Sequence, residues 1–202
     1  MSSFADMTVQ EFLEATAAKT PTPGGGAVAS AVAALGSALA QMVVNYSIGK
    51  KNLASFEPHL RGSVMRLTRA REILLGLAQE DAEAYGLVNE LSRLPEGDAR
   101  RQRELPDAQR AAVQVPMSVI AASVDLLRHF EDLAKVTNRH LRSDLAIAAV
   151  LADAAARASR WNVLVNIPSL DEAARLDASR LMNGMLSESA KLVERVENAC
   201  RE

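Results

Sequence analysis

Hydrophobic and polar positions along the chain follow helical periods almost throughout. Thr8-Val-Gln-Glu11 has the form of a capping box and predicts a short helix to about Ala18. Thr20-Pro-Thr-Pro-Gly-Gly-Gly26 follows, a constrained loop in which proline fixes φ and glycine frees it. From Ala27 to Ile48 the chain is apolar nearly all round, with Ser30, Ser37, Gln41 and Asn45 standing out. That length would cross a bilayer. The four polar residues, the lack of a second comparable span and a body of Ala rather than Leu and Phe predict a buried central helix instead.

A long helix is predicted from about Pro58 to about Ser92. Its apolar stripe is Leu60, Val64, Leu67, Leu74, Ala78, Tyr85 and Val88, with Arg71 and Asp81 at the two missing steps. Leu94-Pro-Glu-Gly-Asp98 ends it, and Arg100–Glu104 reads as a solvated charged segment. Another helical stretch covers about Asp107–Val136, with a kink or break expected near Val115 because of Pro116. Ser143-Asp144 can cap a further Ala-rich helix towards Asn166. Asn162–Ile167 has strand propensity, but with no partner strand elsewhere it is read as helix. Ser169-Leu-Asp-Glu172 reads as a second capping box, opening a last helix to about Cys200. These elements predict an all-α fold. One domain over residues 1–202 would hold five or six mostly long helices in an up-and-down-like bundle.

Composition supports this and narrows the chemistry. The chain has 36 alanines and only 3% aromatic residues, which suits closely packed helices and not a sheet. With 23 Lys plus Arg against 25 Asp plus Glu, no basic excess points to nucleic acid. The single Cys200 excludes an internal disulfide and thiolate zinc sites. His59, His129 and His140 lack the spacing of a helix-borne metal site, so no metal is expected. Met1–Asp6 lacks the basic and apolar regions of a signal peptide, which predicts a cytoplasmic protein that does not enter a membrane.

Polar residues on apolar helices carry the most information. At 100° per residue, Ser30, Ser37, Gln41 and Asn45 fall within about 80° of one another. They either satisfy each other and neighbouring carbonyls or line a ligand site. Asp144, Asn162 and Asn166 share another face, where Asp144 either caps its helix or joins the two asparagines. Asp81 occupies a core-facing step. A carboxylate there is either ion-paired, for instance with Arg71, or raised in pKa as a general acid/base requires. Gly24, Gly25 and Gly26 before a helix allow a ligand or backbone to come close. They form neither a P-loop nor a dinucleotide fingerprint, since no strand precedes them. Lys50 and Lys51 stand at the opposite end of that helix.

Seven blocks then add up in order. They are Thr20-Pro-Thr-Pro-Gly-Gly-Gly-Ala-Val-Ala-Ser30, Tyr46-Ser-Ile-Gly-Lys-Lys51, Asp81-Ala-Glu-Ala-Tyr85, Arg93-Leu-Pro95, Val115-Pro-Met117, Arg142-Ser-Asp144 and Asn162-Val-Leu-Val-Asn166. Together, over about Phe12 to Glu197, they resemble the cyclodeaminase/cyclohydrolase family of folate enzymes. The resemblance implies an all-α homodimer, a tetrahydrofolate derivative as substrate and no metal or nucleotide cofactor. It also implies an active-site aspartate at Asp81. Glu96, where relatives commonly carry Lys, and Ser159-Arg160, in place of a Gly-Ala pair, depart from the family pattern.

The expected reaction is hydrolysis of 5,10-methenyltetrahydrofolate to 10-formyltetrahydrofolate, with Asp81 carrying the protons. The expected substrate-binding residues are Gly24, Gly25, Gly26, Gln41, Asn45, Asp144, Asn162 and Asn166, with Lys50 and Lys51 meeting the glutamyl carboxylates. The alternatives are formiminotetrahydrofolate cyclodeaminase, which expels ammonia at the same site, and a helical binding or assembly protein without catalysis.

Overall fold

A computed structural model describes residues 4–201. Among them are six α-helices and no strand: α1 (Val9–Ala17), α2 (Gly25–Asn45), α3 (Glu57–Ser92), α4 (Ala99–Val136), α5 (Arg142–Asn166) and α6 (Glu172–Arg201). The all-α bundle expected from periodicity is what forms.

Short connections make successive long helices antiparallel. Ser37 Oγ on α2 donates to Leu67 O on α3 at 2.8 Å, while Gly26 lies against Asp81 further along α3. Gly25 faces Asn162 and Gly36 faces Ala148, so α2 and α5 also run antiparallel. Arg128–Glu188 and Glu131–Arg195 advance together along α4 and α6, which are therefore parallel neighbours. Leu127, Phe130 and Leu133 of α4 are fully buried against Leu67 and Leu74 of α3, Ala40 and Val43 of α2, and Leu145 and Ala148 of α5. Alanine at the α2–α5 seam brings the axes close: a Cβ on Gly36 would stand 2.9 Å from Ala148 O.

Several ends differ from the sequence expectation, each for a local reason. Thr8 and Glu11 do form their capping box, with Glu11 N to Thr8 Oγ1 at 3.2 Å and Thr8 N to Glu11 Oε2 at 2.7 Å. α2 begins at Gly25, so Gly25 and Gly26 make its first turn rather than a loop before it. It ends at Asn45, and the chain then turns through Gly49, whose φ of +78° is the left-handed region that glycine occupies without strain. Arg100–Glu104 is not a free segment. Asp98 accepts from Arg100 N at 2.8 Å and Arg101 N at 3.1 Å, and this cap starts α4 there. No break occurs near Val115: α4 continues through Pro106 and Pro116, because Pro116 is buried and packing on both sides outweighs one lost backbone bond. Asp144 lies in the first turn of α5 but is not its cap, since α5 starts at Arg142 after Leu141, which makes no side-chain capping bond. The last capping box does not form either. Asp171 Oδ1 accepts from Ala174 N at 2.9 Å, whereas Ser169 Oγ turns back to Asn166 O at 2.7 Å.

Both α2 and α4 are long and apolar enough by composition to cross a membrane. In the bundle, 56% of the α2 window and 50% of the α4 window are buried against protein.

Candidate active site

The α3 and α4 helices run on past the first turn of α2, leaving an open-ended cleft of about 380 Å³. Gly24, Gly25 and Gly26 form one wall, Asp81, Tyr85 and Asn89 of α3 a second, and Asn162 and Asn166 of α5 a third. Asp81, Tyr85 and Asn89 are four residues apart, so one helix face presents all three.

Asp81 sits against the start of α2. A Cβ on Gly26 would overlap the Asp81 carboxylate where it now lies, so glycine here lets that side chain rest against the start of α2, a matter of close approach and not of an unusual φ. Asp81 has no ion-pair or hydrogen-bond partner among the described residues. Arg71, the partner that periodicity offered, donates instead to Gln41 Oε1 at 2.9 Å. It lies ten residues, about 15 Å, from Asp81 along α3. Burial pushes the Asp81 carboxyl above the ordinary carboxylate value. Gly24 is the N-cap of α2 and supplies no side-chain acceptor, so the first-turn N–H groups stay available beside this carboxylate.

The two asparagines differ. Asn166 Nδ2 donates to Ala112 O at 3.1 Å and to Asn162 O at 2.9 Å, which ties the end of α5 to α4 and fixes the cleft wall. Asn162 makes no such tie, and its Oδ1 stands 3.5 Å from the Cβ position of Gly25, facing the cleft. Its amide is free to meet a ligand.

The structure thus brings together Gly24, Gly25, Gly26, Asp81, Asn162 and Asn166. It does not bring Gln41, Asn45, Lys50, Lys51 or Asp144 to the same cleft. Gln41 is held by Arg71 and Thr68 on the α3 side. Asn45 is the exposed last residue of α2, with Lys50 and Lys51 just beyond it. Asp144 is 18 residues, about 27 Å, up α5 from Asn162, so the two share a face but not a site. Ser30 and Ser37 are fully buried in the bundle. Tyr85 and Val88 are also corrected: they are not core. Beyond the start of α2 no helix covers this face of α3, so Tyr85 is 50% exposed and both line the cleft. Asn89 is a further lining residue that the sequence reading missed. Its step eight residues after Asp81 on one face was the available signal. Among the described residues, no three His, Cys, Asp or Glu side chains group closely enough to hold a metal ion.

An all-helical bundle sets one unpaired, half-buried carboxylate against a glycine-opened helix start in the wall of a cleft. The chain belongs to the formiminotransferase-cyclodeaminase family, whose model matches residues 8–181. It is 32% identical to the methenyltetrahydrofolate cyclohydrolase of Methylorubrum extorquens, a match that spans 94% of this chain and 93% of that one. It is 30% identical to the rat formimidoyltransferase-cyclodeaminase, again over 94% of this chain but only 36% of that longer protein. The crystal structure of the formiminotetrahydrofolate cyclodeaminase of Thermotoga maritima superposes with a TM-score of 0.90 at 34% identity, covering 98% of this chain and 97% of that one.

Proposed function

We propose that this chain hydrolyses 5,10-methenyltetrahydrofolate to 10-formyltetrahydrofolate, with Asp81 as general base and then general acid. The observation that carries the reading is the state of Asp81: raised by burial, unpaired and set in the cleft wall against the start of α2. A structural bundle would gain from an apolar residue at that step, so the position argues against a purely structural or binding role. The cyclohydrolase relative of similar length supports the choice of reaction.

The methenyl carbon of the substrate shares a positive charge between two ring nitrogens, so it is already electrophilic. As a carboxylate, Asp81 stabilises that cation and accepts a proton from water as the C–O bond forms. The C–N bond to the ring nitrogen then breaks. Asp81 returns its proton to that nitrogen, and the hydroxyl proton leaves to solvent as the formyl C=O forms. Cation plus water gives neutral 10-formyl product plus one proton. A carboxyl lifted towards neutral pH serves both transfers better than an ordinary one. The Asn162 amide orients the water or the ring, and Tyr85 offers an aromatic face to the flat pterin.

A second reading is closure of formiminotetrahydrofolate with release of ammonia, favoured by the structural match to the Thermotoga cyclodeaminase. Asp81 would then protonate the departing amine at the same ring carbon. Purified protein should bleach the methenyl absorbance faster than buffer, and Asp81→Asn should not. Bleaching no faster than buffer, with ammonia released from formiminotetrahydrofolate, would replace the first reading by the second. Neither activity would reject both.

A further inference from the structure

We propose that the seam between α2 and α5 beside the Asp81 cleft holds the aminobenzoyl ring of the folate, with Trp161 against the ring and Arg160 at the glutamyl carboxylates.

The inference rests on the folate reading above and follows from the connectivity of that substrate. One nitrogen that bears the methenyl carbon is bonded directly to the aryl ring. With the methenyl carbon at Asp81, the ring must leave the cleft close to the start of α2. A groove of about 410 Å³ opens there. Gly25 and Asn162 line both it and the cleft, so the two cavities adjoin. Gly25 keeps the junction open. Its Cβ position is already in ordinary contact with Asn162 Oδ1, 3.5 Å away, so a longer side chain would stand in the passage.

The two cavities differ in chemistry as the two halves of the substrate do. The cleft carries polar side chains, among them Asn89, whose amide has no hydrogen-bond partner among the described residues. That suits the hydrogen-bonding edge of a pterin. The groove is walled by Val28 and Val32 of α2 and by Ala154 and Ala158 of α5, all hydrocarbon. Side chains this small leave a slot for a flat ring. Trp161 borders the slot and is 69% exposed, so its indole offers a face for offset or edge-on packing with an aryl group.

Charge points the same way. None of the residues lining the cleft is Lys, Arg or His. Lys50 and Lys51 lie past the far end of α2, about 30 Å from Gly25. Arg160 is much nearer. Its Cζ lies 5.7 Å from the Trp161 ring centroid, and it makes no ion pair among the described residues. An unpaired guanidinium thus stands beside the indole, where the glutamyl group on the far side of the aryl ring emerges. Arg160 is also a position at which the chain departs from the family pattern.

Trp161 is the only tryptophan of the chain, so intrinsic emission reports this groove alone. The probe is p-aminobenzoyl-glutamate, which lacks the pterin and cannot react. Titrated into wild-type protein, it should change the emission saturably. Arg160→Ala should need about threefold more of it, the worth of an exposed ion pair. With methenyltetrahydrofolate, Trp161→Ala should raise KM about tenfold and leave kcat within about threefold. With methenyltetrahydropteroate, which has no glutamate, Arg160→Ala should match wild type while Trp161→Ala stays impaired. A merely structural role of either residue would not divide the two substrates in this way. No emission change with the probe, or a wild-type KM in Trp161→Ala, would overturn the subsite; bleaching of methenyltetrahydrofolate by the same protein would still uphold the reaction. A saturable emission change in a protein that turns over no folate would support the groove as an aryl-carboxylate site and overturn the reaction reading instead. Emission that follows protein concentration and ignores the probe would assign the groove to a second copy of the chain and overturn the proposal.

Discussion

Gly26 and Asp81 share a space that admits the carboxylate or a Cβ but not both. Asp81 loses water there without gaining a cation or a hydrogen bond. A double-mutant cycle isolates this pair. Gly26→Ala alone should force the Asp81 carboxylate to turn into the cleft and should destabilise the fold by up to about 1 kcal/mol, the cost of displacing one side chain from its rotamer. With Asp81→Ala the overlapping atoms are gone, and the same Gly26→Ala should then stabilise by up to about 1 kcal/mol, the helix preference of alanine over glycine. Urea denaturation of the four proteins checks it; equal effects of Gly26→Ala in both backgrounds would refute the contact.

Asp81→Asn keeps shape and removes charge. Turnover of methenyltetrahydrofolate should drop on the order of 10²–10⁴-fold, the range of a lost general acid/base. Stability should move the other way. The folded-state pKa of Asp81 is raised, so its charged form is disfavoured by folding at neutral pH. The Asp81→Asn variant should therefore melt higher than wild type at pH 7, and the gain should shrink as pH falls below the raised pKa. A calorimetric scan at both pH values reads the sign directly.

Tyr85 is half-exposed in the cleft, one turn from Asp81. If its ring stacks on the pterin and takes no proton, Tyr85→Ala should raise KM by roughly tenfold, the worth of about 1.4 kcal/mol of contact. Turnover at saturation should stay within about threefold, a difference of under 1 kcal/mol. Tyr85→Phe should behave as wild type. A kcat loss in Tyr85→Phe would give the hydroxyl a chemical role instead.

The helical bundle was legible because 3.6-residue periodicity and alanine richness agree along nearly the whole chain. The ends were less so. Asp98 and Asp171 outcompeted the expected starts, a choice between nearby acceptors that depends on where the chain enters the next helix. Asp81 was legible because a carboxylate on a core-facing step is conspicuous against Leu74 and Ala78. Its contact with Gly26 was not, since 55 residues separate them and only the antiparallel α2–α3 register joins them. The same periodicity misplaced Tyr85 and Val88 in the core, because a stripe does not show where its partner helix ends. The serines of α2 are buried, and Gln41 is taken by Arg71, an interaction that spacing along α2 alone cannot reveal.

His129 is buried on α4 beside His59, with ring centroids 6.2 Å apart, and its Nε2 has no hydrogen-bond partner. Burial first, then the charges of Arg66 and His59, lowers its pKa from 6.5 to about 4, against a smaller opposing pull from Asp132. The unfolded chain then binds a proton at higher pH than the folded one. Stability from this group is fully present above pH 6.5 and is lost as pH falls towards 4. Urea titrations at pH 7, 6, 5 and 4 should show a decline that His129→Leu largely removes over that window. Because His129 is some 17 residues, about 26 Å, along α4 from the cleft residue Ala112, kcat near pH 7 should be unaffected by the change. An acid-stability profile identical in wild type and His129→Leu would show that other groups carry the transition.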